Sequence, residues 1–369
     1  MSTGGLKARR SLKCSEDLFR WLRLNTSCGA ALIPLILILA LPARLYAQFD
    51  FTTNNGALTI RAYTGPDGAV DVPSETNGLT VVNIGKGAFS LLEGLTSITI
   101  PDSITNIGDS AFQGCIGLTS AMIPDGVVSI GNFAFANTSI TNLMLGTNIS
   151  RMGKGAFYYC DNLSEINVDQ LNPVYSSLDG VLFNKSQTTL IQFPQAKANA
   201  YTIPNSVTSI GNSAFYDCTS LTNVVVSGGV TNIGDSVFWN CYSLLGIYFQ
   251  GNCPSYGINV FYQPSGRWGY PATAYYLPGT TGWDIEFDGV PTALWTPVVQ
   301  TSDSSFGVRT NLFGFNINWA SGMVVVVEAS TDLAFWSPLQ TNTFPDSSIY
   351  FSDPQWKNYP ARFYRIRSH

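Results

Sequence analysis

Histidine is all but missing from this chain of 369 residues: the single imidazole is His369, the last residue. A Ser-His-Asp or Cys-His nucleophile needs an internal imidazole held by a partner, so composition argues against histidine-dependent hydrolysis and His-ligated zinc. Charge is scarce too, at 12% of residues. There is no G-x-x-x-x-G-K-[ST] loop to cradle phosphates and no C-x-x-C pair to hold a metal, so no cofactor or metal is expected.

Long hydrophobic runs are also short of what a bilayer demands. Ala30 to Pro42 is apolar but too brief to span comfortably, and it follows Lys7, Arg9, Arg10, Lys13, Arg20 and Arg23. With Ala47 before a plausible cut, residues 1–47 read as a signal peptide, with an uncleaved anchor as the alternative. Residues 48–369 then hold 12 basic against 22 acidic side chains, a net charge of −10. Such a surface repels nucleic acid and anionic lipid, so neither is expected as a partner, nor is stable membrane insertion after signal removal.

What is abundant is repetition. An Ile-Gly step (Met-Gly once) precedes Phe89, Phe112, Phe135, Phe157, Phe215 and Phe238, with Phe261 continuing the series. Successive Phe positions lie 23, 23, 22, 58, 23 and 23 residues apart. Each unit also fits L-x-x-L-x-L, as at Leu95/Ile98/Ile100 and Leu221/Val224/Val226. A fixed period in the leucine-rich range predicts a β-rich solenoid whose turns stack short parallel strands, with these phenylalanines as its core.

The combination C-x-x-L-x-x-[IV]-x-[IV]-P, then I-G, then A-F, as from Cys218 and from Leu95 to Phe112, resembles the BspA-type (treponemal-type) leucine-rich repeat family of secreted and cell-surface proteins. That resemblance implies a right-handed solenoid with a parallel β-sheet on one face, and a role in adhesion or protein binding. It implies no catalytic residues.

The remaining segments follow from this frame. Residues 48–83 read as an N-terminal cap of alternating strands and Gly-marked turns, and 84–250 as the repeats. The long gap before Phe215 holds an insert at 175–194, read as a β-hairpin that is either a protruding contact loop or a tolerated elaboration. Cys115, Cys160, Cys218 and Cys241 share one repeat position, which suits buried thiols, with a Cys218–Cys241 disulfide as the alternative.

Residues 251–295 are aromatic-rich. Ala272/Tyr275/Leu277 restores the strand template and is read as the last strand, inside a C-terminal cap. Tyr256, Tyr262, Trp268, Tyr270, Tyr276, Trp283 and Trp295 could instead form a sugar-binding platform. Residues 296–369 lose the period and suggest a small β-sandwich. Its phrases V-E-A-S-T-D-L and R-F-Y-R-I-R resemble C-terminal β modules of exported bacterial proteins.

Three function classes remain. The favoured one is an exported or cell-surface, non-enzymatic binding or adhesion protein. It would hold a protein ligand or extracellular-matrix component on the outward sheet face, with Met144, Glu165, Asn167 and Tyr248 as contacts, since large or charged side chains dominate interface energies. The second is a glycan-binding protein using 256–295. The third is a carboxylate-dependent glycosidase, because Asp284, Glu286 and Asp288 alternate as if on one strand face, a pattern that could also bind Ca²⁺ or simply be solvated.

Overall fold

The computed structural model describes residues 48–262 and 271–368. Residues 1–47, read from the sequence as a signal peptide, lie outside them, as do Trp268 and Tyr270. The first wall of the solenoid is built from the L-x-x-L-x-L segments. Gly68–Asp71, Leu95–Thr99, Ser120–Ile123, Asn142–Leu145 and Glu165–Val168 form one parallel sheet. Ala200–Thr202, Asn223–Val226, Gly246–Phe249, Thr273–Tyr276 and Val290–Leu294 form the next. Register follows the sequence period: Ala121 pairs with Ile98 and Leu143, and Ile247 with Val224.

A second wall carries the residue pair before each repeat glycine, at Asn106–Ile107, Ser129–Ile130, Ser209–Ile210 and Asn232–Ile233. Its polar position forms a side-chain ladder: Asn106 donates to Asn83 at 2.8 Å, and Ser129 donates to Asn106 at 2.6 Å. The repeat glycines follow from close stacking. A Cβ on Gly108 would stand 2.7 Å from the Gly85 carbonyl carbon and the Lys86 nitrogen. Only a bare backbone lets the next turn approach so near.

The third wall is the A-F turn. Phe89, Phe112, Phe135 and Phe157 are buried and stack at 5.0, 4.9 and 5.9 Å, and Tyr63 of the N-terminal cap continues the column at 5.4 Å. Beyond the insert, Phe193, Phe215, Phe238 and Phe261 stack at 5.0, 5.2 and 5.4 Å. Each buried ring contributes on the order of 2–3 kcal/mol by area, with ~0.5–1.5 kcal/mol more from each ring pair. The seven repeat phenylalanines are therefore core, as the period predicts.

The insert is not a protrusion. Tyr175–Leu178, Val181–Asn184 and Thr189–Gln192 form an antiparallel meander, and Thr189–Gln192 pairs in parallel with Ser209–Ile210. Val181, Leu182, Phe183, Leu190 and Phe193 are fully buried. Phe193 takes the repeat Phe position, its N–H bonding Ala214 O at 2.7 Å as Phe215 N–H bonds Val237 O. The meander thus rebuilds the wall, because its apolar residues have no other place to escape water.

The cysteines of the described residues are free thiols, and no Cys218–Cys241 disulfide forms. Cys115, Cys160 and Cys241 point their thiols at the carbonyls of Phe89, Phe135 and Phe215 at 3.0, 3.2 and 3.0 Å. In the turn without a cysteine, Thr138 Oγ1 bonds Phe135 O at 2.9 Å.

The stack ends differently from the expectation. Thr273–Tyr276 pairs with Gly246–Phe249 so that Tyr275 meets Tyr248, and Val290–Leu294 adds a further strand. Ala274 points inward and Tyr275 outward, one residue out of step with the Ala272/Tyr275/Leu277 template. A one-residue slip flips every side chain, and the packing of Tyr276 on Trp283 at 5.1 Å and of Trp283 on Phe249 at 4.8 Å selects this register. Those rings, with Tyr256 against Phe287 at 4.5 Å, close the core.

Seven strands after residue 297 make two antiparallel sheets facing each other. Their core holds Phe315, Ile317, Trp319, Val325, Val327, Phe344 and Phe351. Leu277 of the solenoid belongs to the same cluster, and Trp319 Nε1 donates to Trp295 O at 2.9 Å. The sandwich is therefore docked on the end of the solenoid.

Candidate interaction surface

Strand alternation sends every second residue of the first wall to solvent, and parallel register lines these residues into columns across the sheet. One column reads Met122, Met144, Asn167. The adjacent one reads Ser120, Asn142, Glu165. Met122 and Met144 are 69% and 45% exposed, unusual for such apolar side chains standing next to each other. Asn167 Nδ2 donates to Glu165 Oε2 at 3.2 Å, which holds the carboxylate along the sheet. The insert borders this patch, since Ile166 N–H bonds Gly180 O at 2.8 Å.

Three of the four expected contact residues, Met144, Glu165 and Asn167, are thus neighbours. Tyr248 is not with them. It stands on the second sheet, its ring stacked on Tyr275 at 4.9 Å and 9°, and 5.0 Å from the Trp295 ring. Gly246 lies buried beneath it, where a Cβ would be 2.6 Å from Tyr248 Cε2. The outward face there is therefore an aromatic ring lying over a glycine. Burial and the neighbouring Tyr275 hold the Tyr248 hydroxyl above the ordinary phenol range.

Tyr248, Tyr275 and Trp295 line one side of a cleft of about 460 Å³ between the solenoid face and the sandwich. Asn223 and Val225 form its floor, and Gln300, Asn318, Ser347 and Ser348 come from the sandwich. Sequence reasoning missed this cleft, because Tyr275 was placed in the core and the sandwich contact joins residues far apart in the chain. The usable signal was Tyr-Phe at 248–249 against Tyr-Tyr at 275–276.

The three acids near the end do not converge. Only Glu286–Phe287 is strand, pairing with Pro291 and Val290 across a turn at Asp288 and Gly289. Both turn residues have positive φ, 45° and 83°. Asp288 accepts the Phe261 N–H at 3.1 Å, and Asp284 accepts that of Ile285 at 2.7 Å. Desolvation, opposed by backbone hydrogen bonds from Phe261 and Val260, raises the Asp288 carboxyl. Asp288-Gly289 forms the hairpin turn while the Asp288 carboxylate ties it to Phe261, and the Asp284 carboxylate is held on the N–H of the next residue.

No curated protein matches this chain in sequence. Among solved structures, a leucine-rich repeat protein of T. pallidum is 27% identical, over 58% of this chain and 86% of its own, with a TM-score of 0.38. A leucine-rich repeat protein from Eubacterium ventriosum is 20% identical, over 63% and 77% of the two chains, with a TM-score of 0.41. The pneumococcal vaccine antigen PcpA is 17% identical over 63% and 92%, with a TM-score of 0.37. Residues 82–202 and 191–266 match the model of the BspA type leucine rich repeat region, in six copies and over half of the chain. With the Phe column, the Gly-tight stacking and the parallel walls all arising from those copies, the chain belongs to the BspA-type leucine-rich repeat family.

Proposed function

We propose that this is an exported or surface-exposed binding or adhesion protein that recognises a protein ligand through the outward face of its first wall. Leucine-rich repeat proteins of this family are in general interaction proteins without catalysis, and the family membership supports that role here. The observation that carries the finer reading is the registered pair Met122 and Met144, exposed beside Asn167 and Glu165. Thioether side chains adapt to a partner surface and lose little by being covered, while Glu165 and Asn167 add direction at the edge of the apolar patch.

Among the described residues no helix is long and apolar enough to cross a membrane. The test is binding of residues 48–369 to a panel of extracellular-matrix and cell-surface proteins. Met122→Glu with Met144→Glu should abolish binding while the melting temperature holds, since both side chains point to solvent. Binding that survives this double change would place the contact elsewhere.

A further inference from the structure

The cleft between solenoid and sandwich differs in chemistry from the methionine patch. Among the described residues that line it there is no carboxylate, amine, guanidinium or imidazole. Its polar side-chain groups include the amides of Asn223, Gln300 and Asn318, the hydroxyls of Thr296, Ser347 and Ser348, and the phenols of Tyr248 and Tyr275. Among the described residues, nothing in the protein hydrogen-bonds the side chains of Gln300, Asn318, Ser347 or Ser348. Asn223 uses one amide proton on Thr222 and keeps its oxygen.

Against this stands a ring face. Because Tyr248 stacks on Tyr275 at 9°, its other face looks toward strand Asn223–Val226. The residues there, Asn223 and Val225, are short. A flat aromatic surface next to uncharged groups that both donate and accept is what a neutral saccharide requires. The C–H face of a pyranose covers the ring, and amides and hydroxyls pair with its hydroxyl groups.

A peptide is served less well by the central strands of the cleft: Asn223–Val226 is paired on both sides, and Asn318 is laddered with Val298 on one side and Ser348 on the other. Val298–Gln300 and Ser348–Asp353 keep open outer edges, and the peptide arm of the experiment tests them. We infer that the cleft lined by Tyr248, Trp295, Asn223 and Asn318 is a binding site for an uncharged oligosaccharide, distinct from the protein-binding patch at Met122 and Met144.

The volume of about 460 Å³ lies within the ordinary range of small-ligand sites. Both halves of the molecule are needed, which explains why Leu277 and the Trp319–Trp295 hydrogen bond hold them together.

The experiment titrates residues 48–369 with short neutral oligosaccharides of glucose, mannose, galactose and N-acetylglucosamine. A proline-rich peptide and a sulfated glycan serve as contrasting probes. Calorimetry reads affinity, and tryptophan fluorescence compared with that of Trp295→Phe reports on the cleft. One neutral sugar series should bind, and Tyr248→Ala and Asn318→Ala should each weaken it about tenfold. Met122→Glu with Met144→Glu should leave it unchanged, so failure here and failure of the protein-ligand reading are separable. Asn318→Ala removes a solvent-facing amide and keeps the test valid if Tyr248→Ala is unstable. Absence of binding by every neutral series overturns the inference. So does binding that ignores both substitutions, or that goes only to the peptide or the sulfated glycan.

Discussion

The Cys115 thiol donates to the carbonyl oxygen of Phe89, one turn back along the stack, at 3.0 Å. Leu92 N–H reaches the same oxygen at 3.3 Å, so the thiol is a second donor to a carbonyl that already has a backbone partner. Cys115→Val should therefore cost no more than about 1 kcal/mol in urea unfolding. Burial pushes the Cys115 thiol up to about 11, so it stays protonated and unreactive. In the native protein, iodoacetamide followed by mass spectrometry should label the half-buried Cys253 before Cys115, Cys160, Cys218 or Cys241.

Phe112 lies between Phe89 and Phe135, with both faces covered. Phe112→Ala should cost about 3–5 kcal/mol by the cavity it leaves, and both neighbouring ring pairs are lost as well. Thermal melting checks this. An unchanged midpoint would mean that the column contributes nothing.

Leu91 adopts φ 61° with its side chain 72% exposed. A left-handed L-residue costs about 1–2 kcal/mol, and little burial compensates. Leu91→Gly should therefore raise stability by roughly 0.5–1 kcal/mol after the larger chain entropy of glycine is counted. Equilibrium unfolding of the two proteins side by side gives the difference.

Asp217 is buried and accepts from Asn240 at 3.1 Å. Desolvation pushes its carboxyl up from 3.8 to about 6, with the Asn240 bond opposing and the Asp161 charge adding to the rise. The folded chain then binds more protons than the unfolded chain between pH about 4 and 6, so Asp217 makes stability fall as pH rises through that window. Asp217→Asn should remove this slope and gain on the order of 1–2 kcal/mol at neutral pH, solvent screening included, with no gain below pH about 4.

Leu277→Asp would put an unpaired charge into the shared core of solenoid and sandwich. The two parts should separate, and protease cleavage near Thr296 should speed up several-fold while the solenoid melts nearly as before. Cleavage at the original rate would show that the docking does not depend on Leu277.

Much of this molecule was legible because each turn of a solenoid touches mainly its neighbours. A 23-residue period then translates directly into register, and Phe89 to Phe157 and Phe215 to Phe238 had to stack once the Ile-Gly steps were aligned. The small β domain that follows the last repeat was equally readable from local pattern.

What local pattern did not contain was the outcome of competition between distant groups. The register of Thr273–Tyr276 rests on Trp283 packing against Tyr276 and Phe249, and the insert's place in the wall rests on burying Val181 and Phe183. Phe193 stands 22 residues before Phe215, but without the Ile-Gly step its role was invisible. The repeating core follows from local pattern, since burial there is decided within one period. The cleft arises in folding, because Tyr248 and Asn318 come to line one space through the docking of two domains, and no spacing along the chain encodes that docking.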